Sequence, residues 1–130
     1  MIDQIKLLIK LAKVDGTVDD KEKTLIRNIA SVHSIQPEVV ESMLGEEHPD
    51  LNLASIPDSD KIEYLVNMVQ LMKIDGHTYN SELAFCQEAA EKLGFDRSVI
   101  LELYKLIYTN PEIRVPESMI SDTVHQYLNK

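Results

Sequence analysis

Cysteine occurs once in the 130 residues, at Cys86. A single thiol makes an intrachain disulfide impossible, which excludes the cross-linked framework of small secreted domains. Basic residues are also sparse, with 13 Lys plus Arg against 22 Asp plus Glu and a net charge of −9. That field repels phosphate backbones and anionic headgroups, so nucleic acid and bare membrane are disfavoured as partners. Long apolar runs are missing: Lys6, Lys10 and Lys13 interrupt the first hydrophobic stretch, and no run approaches the ~20 residues of a membrane helix. The start, Met1-Ile2-Asp3-Gln4-Ile5-Lys6, lacks the basic n-region of a secretory signal. There is no Gly-rich phosphate loop, nucleophile elbow or His-Glu-x-x-His helix. The four histidines make no zinc-ligand spacing with Cys86. The chain therefore reads as soluble, cytoplasmic and non-enzymatic.

What is present suits a packed domain. Hydrophobic residues make up 44% and charged residues 27%, a balance far from the signature of disorder. The length matches one domain, 1–130.

The chain repeats itself at an offset of 60: Leu11-Ala12-Lys13-Val14-Asp15-Gly16 falls on Leu71-Met72-Lys73-Ile74-Asp75-Gly76, and Glu22 falls on Glu82 without a gap. Ala30 then meets Ala90, and Val39 meets Val99. A fixed internal period identifies the unit of architecture. The halves run over about 3–45 and 58–108.

Each half reads as three helices. Ile5, Leu8, Ile9 and Ala12 follow i, i+3, i+4, i+7, the spacing of one helical face. Gly16 can reverse the chain after them at no steric cost. Asp19 and Glu22 form a capping box for a second helix, whose apolar face is Ile26, Ile29, Ala30 and a partly buried His33. Pro37 opens a third helix carrying Val39, Val40, Met43 and Leu44, and Gly45 closes it. In the second half the stripe is Ile62, Leu65, Val66 and Val69, then Cys86, Ala89, Ala90 and Leu93. Gly94 caps that middle helix, and Asp96 starts the next. A seventh helix over about 116–128 docks Ile120, Val124 and Tyr127. The segment from Gly45 to Pro57 shows no period and reads as a linker. No strand is expected. The fold class is all-α, about seven helices in a compact bundle with two pseudo-symmetric halves.

The Asp-Gly turns carry the candidate chemistry. Gly16 and Glu22 stand as far apart as the glycine and glutamate of an EF-hand loop, but Leu11 and Lys13 occupy that loop's first two ligand places, and Leu71 and Lys73 repeat them. Regular EF-hand binding is thereby disfavoured. One reading of the turns is structural, with glycines reversing the chain and acids capping helices. The sharper reading is a weak divalent-cation site for Ca, Mg or Mn, using Asp15, Asp19 and Glu22 in one turn and Asp75 and Glu82 in the other.

The pattern Leu-Ala-Lys-Val-Asp-Gly-x-Val-Asp-x-x-Glu, followed by an amphipathic helix and repeated once, resembles the TerB-like family named after a bacterial tellurite-resistance protein. The resemblance covers most of the chain. It implies an all-helical fold of two similar halves, an acidic surface that binds metal, and a role in stress-linked assemblies near the membrane. It carries over Asp15, Asp19, Glu22, Asp75 and Glu82 as metal positions, while Tyr79 departs from the acidic or small polar residue expected there. Tellurite resistance itself does not follow from likeness of fold.

Three functions are weighed: an acidic module engaging a protein partner and a divalent cation, a small metal-dependent enzyme or sensor, and a structural homodimer. Cys86 on a core face reads as a small hydrophobe. Lys6, Lys10 and Lys13, three or four apart, read as a solvated stripe. His48 among Glu46, Glu47 and Asp50 reads as part of an acidic linker.

Overall fold

The computed structural model describes residues 2–14, 18–45, 53–74, 80–106 and 117–128. These form seven α-helices: α1 (Ile2–Ala12), α2 (Asp20–Val32), α3 (Pro37–Leu44), α4 (Asp58–Lys73), α5 (Asn80–Leu93), α6 (Val99–Leu106) and α7 (Glu117–Gln126). Among the described residues there is no strand, only an isolated bridge between Phe95 and Leu128. The chain is an all-α bundle. No described helix is long and apolar enough to cross a membrane.

One apolar cluster draws side chains from all seven helices, including Leu8, Ile26, Val40, Met68, Cys86, Leu103 and Val124. Burial of such side chains, at about 25 cal/mol per Å² of apolar surface, is the main force holding short helices that would fray alone. α1 and α4 pack on each other at the centre. Around them α1 meets α2 and α3, just as α4 meets α5 and α6, and α1 crosses to α5 as α4 crosses to α2.

Burial follows the same period as the sequence. From Gln4 to Val14 and from Tyr64 to Ile74 the two stretches are buried, half-buried and exposed in the same order, and so are 21–32 and 81–92. The ends of α2 and α5 also match. Ser34 N–H donates to the Ser31 carbonyl and Ile35 N–H to that of Ala30, at 3.0 and 2.9 Å. Gly94 N–H and Phe95 N–H do the same to Glu91 and Ala90, both at 3.0 Å. This is the paired bonding of a Schellman stop, which needs a left-handed residue after the cap. Gly94 supplies it with φ +100°, and Ser34 supplies it with φ +61° in spite of its side chain.

Some features depart from the pattern expected of the sequence. The segment before Pro57 contains a 3-10 turn, Leu53–Ser55, and Leu53 and Ile56 are buried, with the turn resting on α5. A short apolar plug lacks the length to show a period, so its burial was hidden. Val39 is exposed whereas Val40 and Met43 are buried, because eight residues turn only a narrow face inward. Lys6, Lys10 and Lys13 are half-buried rather than fully solvated, as long aliphatic stems lie along apolar surface. The bends expected at Gly16 and Gly76, the segment carrying His48, and the stretch from Ile107 to Pro116 lie outside the described residues.

Candidate functional site

The candidate acids divide by position. Asp19 is the N-cap of α2: its Oδ1 accepts the Glu22 N–H at 2.8 Å, and Glu22 Oε1 accepts the Asp19 N–H at 3.4 Å. Each carboxylate thus satisfies a backbone donor that the first helical turn leaves open. Glu22 is nonetheless buried, 5% exposed, and Glu82 in the first turn of α5 matches it at 4%. The helix N-terminus offsets part of the cost of holding a carboxylate there. Asp15 and Asp75 lie outside the described residues. Among the described residues no three His, Cys, Asp or Glu side chains stand close enough to share an ion. Asp19 and Glu22 alone do not furnish the oxygen shell of a hard cation; the rest would have to come from the turns themselves.

Lys73, which breaks the EF-hand pattern, has a role of its own. Its ammonium donates to the Tyr104 carbonyl at 2.8 Å and lies 4.4 Å from the centre of the Tyr104 ring. A cation at the C-terminal end of α6 and over an aromatic face is favoured on both counts. It ties the end of α4 to α6.

A second polar constellation lies where α1, α2 and α4 meet. Gln4 is fully buried, and its Oε1 accepts Asn67 Nδ2–H at 2.6 Å while its Nε2–H donates to Glu63 Oε2 at 2.8 Å. The other oxygen of Glu63 stands 3.1 Å from His33 Nε2. Every polar atom of the Gln4 amide head that faces α4 therefore finds a partner, which buried amides require. His33 is half-buried at the C-cap of α2. Neighbouring Tyr64 is buried, and its hydroxyl is pushed up from 10.0 to about 12 by burial first and then by the carboxylates of Asp3, Asp60 and Glu63.

This chain of groups was not among the candidates read from the sequence. A signal existed: Gln4 stands four residues before Leu8, and Asn67 four before Leu71, so each interrupts an apolar stripe. A single amide in a stripe is common enough that only its partner across the interface gives it meaning.

Cys86 is fully buried, and desolvation pushes its thiol well above the ordinary range, with Glu82 adding to the effect. It packs as a hydrophobe. A small cleft of about 40 Å³ opens between α1, α5 and the 3-10 turn, lined by Leu7, Leu53 and Phe85 with Lys10, Glu88 and Lys92 at its edge. That volume suits water rather than an organic ligand.

The chain matches no family model, no curated protein and no solved structure.

Proposed function

We propose that this chain is a non-enzymatic acidic interaction module, TerB-like in kind and built from a duplicated helical unit, that engages a protein partner and binds a divalent cation weakly at its two Asp-Gly turns. The observation that carries the reading is the matched pair Glu22 and Glu82, buried carboxylates in the first turns of α2 and α5, each six residues after the glycine of its turn. A net charge of −9 supports a partner with a basic surface, met under electrostatic attraction. The stress-linked setting rests on resemblance alone.

The cation is tested by titrating Ca²⁺, Mg²⁺ and Mn²⁺ into the protein and its Asp19→Asn variant. Asparagine caps a helix as well as aspartate does, so the variant keeps its stability while losing one charged ligand. Heat release and a thermal shift in the wild type, both reduced in the variant, are expected. No heat and no shift at millimolar metal would remove the cation from the proposal. The partner is tested by co-purification from the native host with mass spectrometry, where release by raised salt is expected of a charge-led contact.

A further inference from the structure

The bundle poses a problem of pairing. α1 and α4 form its central contact, and the stretches from Gln4 and from Tyr64 share one burial pattern. Two helices so alike on their inner faces could equally pair with themselves, α1 of one copy on α1 of another. The polar groups at this contact are not alike. Gln4 spans one turn of α4, bonding Glu63 and Asn67 together. At the matching places of α1, an offset of 60 earlier, stand Asp3 and Leu7, and the residue of α4 that matches Gln4 is Tyr64. Gln4 bonds Glu63, and the charge of Asp3 acts on the Tyr64 hydroxyl, so the matching places of the two helices meet across this contact.

We propose that the buried Gln4–Asn67 amide pair is a pairing device, which makes α1 acceptable to α4 and unacceptable to the α1 of a second copy, so that the halves close on each other within one chain. In an α1–α1 contact of the same geometry, Gln4 meets Asp3 and Leu7 of the other copy where α4 offers Glu63 and Asn67, so its carbonyl exchanges the Asn67 bond for an apolar neighbour. Each carbonyl bond lost in this way weakens such a dimer by roughly tenfold, and the two in a symmetric dimer by about a hundredfold. Single buried polar residues that set register and partner at helix interfaces are the best-attested use of such groups.

The test is the full chain with Gln4→Leu and Asn67→Leu together, unfolded, refolded at high concentration and sedimented. A dye on Lys6→Cys that forms excimers reports two α1 helices side by side; the inert Cys86 thiol stays unlabelled. The wild-type background is expected to refold to monomer without excimer emission. The double leucine variant is expected to stay helical and to resist urea at least as well, but to gain a dimer fraction about tenfold or more higher, with excimer emission. A double variant that refolds only to monomer overturns the proposal. So does one that fails to fold, since the amides would then be needed for folding itself, and so does a dimer without excimer emission, which would pair by another face. The variant Gln4→Asn with Asn67→Gln, which keeps an amide pair, is expected to remain monomeric; if it dimerises as the leucine variant does, the amides are not what sets the pairing.

Discussion

At the scale of single residues, two positions 60 apart hold the same left-handed backbone with different side chains, at a steric cost only where the residue is serine. Ser34 and Gly94 both hold positive φ, at +61° and +100°. Ser34→Gly removes a steric cost of about 1–2 kcal/mol, less the extra entropy of glycine, so a net gain of about 0.5–1 kcal/mol is expected in thermal melts. Gly94→Ala should lose about 1–2 kcal/mol. The nearest atom to an added Cβ there is Lys61 Nζ at 4.0 Å, so the loss comes from the backbone and not from crowding. Tyr64 sets an alkaline limit. Its folded hydroxyl titrates near 12 instead of 10.0, so the unfolded chain releases this proton first as pH rises. The contribution is therefore whole below pH 10.0 and lost on the way to about 12. Urea midpoints should fall through that window, and Tyr64→Phe should flatten the fall.

At the scale of elements, local chemistry starts α2 and stops α2 and α5. The α2 start depends on Asp19 and Glu22 holding each other's amides. Asp19→Ala should cost about 1 kcal/mol, read from urea unfolding, while Asp19→Asn should cost almost nothing. α6 begins beyond Asp96, whose carboxylate accepts the Ser98 N–H at 2.9 Å and is held below its ordinary range by that bond. The Asp96 N–H in turn donates to the Tyr127 carbonyl at 2.7 Å, tying the end of α7 to the start of α6. Surface pairs such as Arg27 with Glu41 join α2 to α3 in the open, where ion pairs contribute little.

At the scale of the molecule, the halves are joined by direct packing of α1 on α4, of α1 on α5 and of α2 on α4. With one apolar cluster shared by all seven helices, unfolding should be a single cooperative transition with no populated half-folded state, checked by coincident circular-dichroism and fluorescence curves. Leu8→Ala and Met68→Ala, fully buried at matching places, should each cost about 2–5 kcal/mol and lower that one transition. Two separate transitions would show that the halves stand independently.

The helices and their order were determined by the sequence alone, because apolar spacing, capping acids, Pro37 and Gly94 act within a few residues along the chain. The identities sixty residues apart, such as Leu11 with Leu71 and Glu22 with Glu82, likewise need no coordinates. The capping role of Asp19 was legible for the same reason, since its partner is only three residues away. Tertiary structure alone decided what Gln4, Glu63, Asn67 and His33 do, since these groups bond across separations of 59, 63 and 30 residues. It also decided that Leu53 and Ile56 plug the core and that Lys73 reaches Tyr104. A hydrogen bond or a buried contact between distant segments depends on where the packed helices bring them, and the spacing within one helix shows which face is buried but not which distant residue that face meets.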